Sequence, residues 1–247
     1  MNPSIIFEND EVLVINKPAG LIVHSDGRTE EHSVAEWVLA NYPAMKEVGE
    51  PWESPQGETI LRPGIVHRLD RTTSGVMILA KTVSAHAFLK KQFQDRTTEK
   101  EYRAFVYGHP KKDEGLIEAE IVRIRSVPPR WGVARAGEGK KHREAVTGWQ
   151  VMTRGVDPET TEKVSLLGVM PKTGRTHQIR VHLKHLGFPI ICDHLYAKGK
   201  PAALGFERPA LHAYRLVIEL PEGGRHEFEA PLPSDFEKAL QSIAEKA

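Results

Sequence analysis

Four short segments hold the side chains best suited to chemistry. In GIVHRLDRTTSGVMILAKT (64–82), Asp70 follows the β-like run Ile65–His67 and precedes a turn, Thr72–Gly75, after which an apolar run resumes. Loops held between rigid strands are where active-site groups commonly sit. The neighbouring charges of Arg68 and Arg71 favour the ionised form of Asp70, and an ionised carboxylate can act as nucleophile or base. A turn aspartate stabilised by its own backbone and by Thr72 or Thr73 fits the same spacing. In MPKTGRTHQIRVHLKH (170–185), the turn residues PKTGR lead into a helix that Thr176 can cap. On it His177, Arg180 and Lys184 share a cationic face, opposite Ile179, Leu183 and Leu186. Arg180 could be aimed at a carboxylate or a phosphate. His182 and His185, with His177 and Asp193 near in sequence, could share a metal ion, but no carboxylate stands at metalloprotease spacing. In EKEYRAFVYG (99–108), Tyr102 begins a strand as a core aromatic or as a stacking platform for a nucleobase. In INKPAGLIVH (15–24), Lys17-Pro18 ends a strand and Gly20 turns the chain; taken alone it is a β-turn with a solvated lysine.

These segments need a framework. Short β-like runs dominate: Ile5–Phe7, Val12–Ile15, Ile65–His67, Val76–Ala80, Tyr102–Tyr107, Leu116–Val122, Ala145–Met152, Lys163–Val169, Leu211–Leu220 and Arg225–Glu229. Bounded by Gly, Pro or Asp and mostly not joined by long helical segments, they predict an antiparallel sheet rather than a doubly wound parallel one. Four helices are predicted. Ser33 caps one through Ala40, with Glu36 at the capping-box position. Ser84 caps one through Asp95, the third follows Thr176 and stops at Gly187, and Ser234 caps the last. Two stretches read as loops. Residues 43–63 hold four prolines, and residues 126–143 hold five Lys/Arg, His142 and Trp131 against one acidic residue. A basic loop with an aromatic suits phosphates and bases; a solvated loop has the same composition.

Composition narrows the class. The 247 residues carry one cysteine, Cys192, which excludes an intramolecular disulfide and a zinc site needing two or more thiolates. The N-terminus lacks the basic and long apolar regions of a signal peptide, and no apolar run approaches the ~20 residues of a membrane helix. A soluble, cytoplasmic protein with no membrane partner is expected. The net charge of +1 hides a gradient. Residues 1–60 hold 3 basic and 11 acidic residues, and residues 217–247 hold 3 and 7, which leaves 28 against 15 in residues 61–216. A basic middle segment favours polyanions. No P-loop and no dinucleotide-binding glycine fingerprint is present.

In this order, NKPAGLIVH, GIVHRLDRTTSGVMILAKT, EKEYRAFVYG, PKTGRTHQIRVHL and LHAYRL resemble the RluA-type RNA pseudouridine synthases, from about Ile5 to about Pro233. HRLD-x-x-TSG and KTGRTHQIRVHL are the specific strings. The resemblance implies an α+β fold: a mainly antiparallel mixed sheet with flanking helices and an active-site cleft across the sheet. One catalytic domain over 1–247 is expected. Because Ile5 already starts the catalytic pattern, no separate N-terminal RNA-binding domain is expected. The partner is RNA, ribosomal or transfer, met by the cleft and by loops such as 126–143; a monomer without cofactor or metal is expected.

Residue by residue, Asp70 resembles the family's single catalytic aspartate, Arg180 the basic residue paired with it, and Tyr102 the tyrosine packed on the target uracil. Arg68 matches the arginine that fills the space of the flipped base. Leu211 and His212 match a segment lining the far side of the site. Lys17 and Pro18 match a first, structural motif. Lys17, Arg71, Arg175 and His177 complete the expected substrate contacts. The reaction breaks a C–N glycosidic bond, turns the base and joins C5 to the same sugar carbon. The aspartate could attack C1′, act at C6, or assist a glycal. A non-catalytic RNA binder that kept the fold, and a metal-dependent hydrolase using His177, His182, His185 and Asp193, are the alternatives.

Overall fold

The computed structural model describes residues 1–25, 31–54, 57–124, 126, 130–134 and 142–244. Among these it forms, in chain order, β1 (Ser4–Glu8), β2 (Val12–Lys17), α1 (Val34–Asn41), β3 (Trp52–Glu53), β4 (Thr59–Ile60), β5 (Ser74–Ala80), α2 (Val83–Asp95), β6 (Glu99–Tyr107), β7 (Glu114–Glu118), β8 (Ile121–Ile124), β9 (Arg130–Val133), β10 (Val146–Val156), β11 (Lys163–Pro171), α3 (Gln178–His185), β12 (Leu211–Glu219), β13 (Arg225–Glu229) and α4 (Ser234–Ala244). The chain divides into two compact units, Met1–Glu99 with Ala213–Pro231, and Lys100–His212 with Leu232–Ala247. The architecture is α+β, as expected, and β1–β2, β2–β5, β12–β13, β6–β11, β11–β10, β10–β7 and β8–β9 all pair antiparallel. No helix among the described residues is long and apolar enough to cross a membrane.

In the first unit the strand order is β1–β2–β5–β12, with β13 on β12. β5 is buried at every position, which is why its sequence is a continuous apolar run rather than an alternation. Ser33 caps α1 with the predicted capping box: its side chain accepts from the Glu36 amide and the Glu36 carboxylate accepts from the Ser33 amide. α2 starts earlier than predicted. Thr82, not Ser84, is its cap, with Oγ1 accepting from the Ala85 amide at 3.1 Å. The 43–63 stretch is not a bare loop. It folds into a 3-10 turn over Pro43–Met45 and the β3–β4 pair, and the Arg62 guanidinium sits 5.0 Å from the Trp52 ring.

In the second unit the order is β6–β11–β10–β7. Its core centres on Phe105, Phe206 and Phe236, whose ring centroids lie 5.2–5.6 Å apart. The single cysteine belongs to this core. Its thiol donates to the Phe206 carbonyl at 2.8 Å, and burial raises its pKa. The run Leu116–Val122, predicted as one strand, is two. β7 pairs with β10 through Glu118, and β8 then pairs with β9 from Ile121, because the chain changes partners at Ala119–Glu120. The predicted basic loop thus contains a strand, β9, hydrogen-bonded to β8. The rest of that loop at 127–129 and 135–141 lies outside the described residues.

Candidate active site

Asp70 stands in the first unit. The segment before it is not the strand that Ile65–His67 predicts: only Ile65 bridges, to Leu79. A side chain does the aligning instead. His67 Nε2 accepts from the Ile78 amide of β5 at 3.1 Å, and its ring stacks on Phe93 of α2 at 4.5 Å. Leu69 is buried beneath, while Arg68 is exposed and Asp70 half-buried. The Asp70 carbonyl accepts from the Thr73 amide at 3.1 Å, closing the turn that presents the carboxylate. At the end of that turn Gly75 has φ +120°, and a β-carbon there would lie 2.1 Å from the Ala213 carbonyl oxygen. Only glycine fits.

The lysine predicted to be solvated is fully buried. Lys17 Nζ donates to the carbonyls of Pro18 at 2.9 Å, Leu21 at 2.8 Å and Arg71 at 3.2 Å. The Gly20 amide also donates to Arg71 O, at 2.8 Å. Lys17 therefore corrects the expectation of a substrate contact. Its ammonium ties the Pro18–Leu21 turn to the residue next to Asp70, and a charge so buried requires the several acceptors it has. Arg71 is exposed and ion-paired with Glu31.

Tyr102, Arg180, Arg175, His177, Leu211 and His212 belong to the second unit. Tyr102 is half-buried on β6, opposite Val169 of β11, and packs against the core. Leu211 and His212 correct their expectation: Leu211 is 3% exposed and His212 wholly buried, 5.8 Å from Phe236, so both are core residues without a surface to offer a substrate.

Arg180 is not on a solvated cationic face. It is 6% exposed, and all of Gln178–Leu183 is buried. Its Nε and Nη2 donate to the two oxygens of Asp193 at 2.7 and 2.9 Å, a bidentate pair whose carboxylate is wholly buried. Asp193 Oδ1 also accepts from the Leu195 and Tyr196 amides at 3.1 Å. The Tyr196 ring lies 5.0 Å from the Arg180 guanidinium. Asp193 and Tyr196 are the functional candidates that the sequence reading missed, Asp193 having entered only as a metal ligand. An acidic residue 13 positions from an arginine carries no periodic signal.

α3 is held by a chain of buried polar groups. Gln178 Oε1 accepts from Thr173 Oγ1 at 2.7 Å and from the Arg175 amide at 2.9 Å. Its amide nitrogen donates to Val146 O and Thr147 Oγ1 at 3.0 and 2.9 Å. Thr147 Oγ1 and Ala119 O then engage His182 Nδ1 and Nε2 at 2.8 and 2.9 Å, which assigns the neutral ring with its proton on Nε2. Burial lowers the His182 pKa. Both ring nitrogens are thereby occupied, and among the described residues no group of three His, Cys, Asp or Glu side chains could hold a metal ion. Thr176 is not the cap. His177 is, in the left-handed region at φ 56°, because the Gln178 side chain reaches back to close the turn. Arg175 Nε donates to Glu144 O at 3.0 Å.

The family model of RNA pseudouridylate synthases matches residues 11–185. An RNA pseudouridine synthase of Synechocystis is 35% identical over 98% of this chain and 69% of its own length. The ribosomal large subunit pseudouridine synthase D of Zymomonas mobilis is 34% identical over 97% of this chain and 72% of its own. The solved structure of human RNA pseudouridylate synthase domain containing 4 superposes with a TM-score of 0.71 at 25% identity, covering 98% of this chain and 93% of that one.

Proposed function

We propose how this chain, which belongs to the RNA pseudouridylate synthase family and isomerises uridine in RNA to pseudouridine, carries out the reaction: Asp70 is the reacting carboxylate. The observation that supports this is its setting. Asp70, a partly buried residue, stands at a turn braced by His67, Leu69 and Lys17, so it is held in place. In the reaction the C1′–N1 bond breaks and a C1′–C5 bond forms. The base loses its C5 proton and gains one on N1, with no change of oxidation state, so the chemistry calls for no electron carrier. The uracil leaves its stack at a cost of a few kcal/mol. Tyr102 packs on the everted base and Arg68, exposed beside Asp70, fills its former place. Arg180 supplies the cation that the family resemblance pairs with the catalytic carboxylate. Arg175, His177 and Arg71 serve the RNA backbone. Phosphate contacts also come from Arg123, Arg130 and Arg143, which stand on or beside the β8–β9 hairpin with the Trp131 ring 5.8 Å from the Arg143 guanidinium.

Both units carry parts of one catalytic domain, which acts in the cytoplasm as a monomer. Ribosomal RNA is the substrate class favoured by the name of the Zymomonas relative. The test is tritium release from RNA labelled at uridine C5. Asp70→Asn retains RNA binding and loses roughly 10⁴-fold in release rate. Release at the wild-type rate removes Asp70 from the chemistry, and binding without release by the wild-type chain would make it an RNA binder instead. Pseudouridine maps of ribosomal and transfer RNA, from cells with and without the protein, separate the two substrate classes.

A further inference from the structure

One buried tyrosine of the second unit is used neither by the fold's apolar core alone nor by any step above. Tyr196 is 4% exposed, yet its hydroxyl has two polar partners from separate elements. It lies 2.8 Å from His177 Nδ1, at the left-handed cap of α3, and accepts from the Trp131 amide of β9 at 3.1 Å. The Trp131 N–H donates to the phenolic oxygen, and the direction of the second bond follows the His177 tautomer. The same ring lies 5.0 Å from the Arg180 guanidinium and 6.0 Å from Lys184 Nζ. Its backbone amide donates to Asp193, the partner of Arg180. Around it Ile121, Ala145 and Val181 form a small separate cluster, with Trp131 and Val133 packed on it. Beside that apolar contact, the Tyr196 side chain links the β8–β9 hairpin to the helix of Arg180, the ring facing Arg180 and the hydroxyl facing the hairpin.

We propose that Tyr196 is a positioning residue for RNA, whose hydroxyl latches the basic β8–β9 hairpin to the start of α3 so that the hairpin arginines meet the phosphates of a uridine engaged for reaction. The proposal rests on the reading of that hairpin as an RNA contact. Because the ring and Asp193 hold Arg180 without the hydroxyl, the latch acts on RNA engagement and not on the chemical step.

The experiment is single-turnover tritium release at increasing RNA concentration and at several salt concentrations, with Tyr196→Phe, with the double variant Arg130→Gln/Arg143→Gln, and with the three changes combined. Tyr196→Phe keeps the ring and removes the latch. It raises the half-saturating RNA concentration about 3–10-fold, holds the saturated rate within about twofold, and makes the slope of log affinity against log salt shallower by about one contact. Combined with the arginine changes, it adds less than its effect alone. A merely structural tyrosine would lower the folded fraction without moving the salt slope. An unchanged salt slope, additive effects, or a slower saturated rate at unchanged half-saturation would overturn the latch. If the double arginine variant itself leaves the salt slope unchanged, the hairpin is no RNA contact and the proposal falls with it. The assignment of Asp70 is judged separately, by the release rate of its own variant.

Discussion

The Asp70 turn and the Arg180 helix solve one problem with opposite signs. In the first unit a loop that presents an anion is braced by a buried cation, Lys17, whose ammonium bonds three neutral carbonyls. In the second a helix that carries a cation is braced by a buried anion, Asp193, which bonds the guanidinium bidentately and two backbone amides besides. The lysine shapes a backbone through those three bonds. The aspartate both orients and neutralises. Loss of a brace should therefore matter differently in the two units: through loop geometry in one, and through an uncompensated buried charge in the other.

The largest expected effect tests that difference in the second unit. Asp193→Ala removes the bidentate partner of the Arg180 guanidinium and should destabilise the protein by about 3–5 kcal/mol in urea unfolding. Asp193→Asn keeps an oxygen for the two amides and should cost less stability while still slowing the saturated rate. Equal losses for both would mean that the charge pair, not the backbone bonds, sets the whole cost; a near-zero loss for Asp193→Asn would mean the reverse. Next, Lys17→Met takes the ammonium from the Pro18, Leu21 and Arg71 carbonyls, of which the last keeps the Gly20 amide, and should cost about 2–4 kcal/mol. Its remaining folded fraction should turn over more slowly at saturating RNA, with affinity nearly unchanged. An affinity loss at full rate would return Lys17 to the substrate contacts.

The smallest effect is a pH dependence confined to the second unit. The unfolded chain protonates His182 near its ordinary value of 6.5, whereas burial holds the folded value lower. Between the two values the unfolded state binds more protons. Stability from this group is thus complete above about pH 6.5 and is lost as pH falls towards the folded value. One proton limits the slope to about 1.4 kcal/mol per pH unit. His182→Gln should be less stable at pH 8 and flatter between pH 7 and 5.5 in urea unfolding. A slope equal to that of the wild type would show that His182 is not the titrating group.

Local signals were legible where short-range chemistry decides. Ser33 and Glu36 announce their capping box three residues apart, and Arg225–Glu229 forms a strand with the predicted ends. What stayed hidden depends on groups distant in the chain. Lys17 reads as solvated beside a proline, yet one of its acceptors lies 54 positions away. Ile65–His67 has strand composition, but the His67 ring takes the amide of β5 that a ladder would have used. The polar pattern of α3 reads as a wet face because Gln178 and His182 find their partners on β10 and at Ala119, over 30 positions upstream in each case. Of the candidate site, Asp70, Tyr102 and Arg180 were legible as motif residues. Asp193 and Tyr196 were not, because only the fold brings them against Arg180.

The cysteine beneath Phe206 has a practical consequence. Its sulfur is enclosed, hydrogen-bonded to a carbonyl and less acidic than an ordinary thiol, so maleimide reagents, which attack exposed thiolates, should pass it by. A fluorophore attached through Ser126→Cys, between the two strands of the hairpin, would then report from one place only, and the arrival of a nucleic acid could be watched in the otherwise unaltered polypeptide.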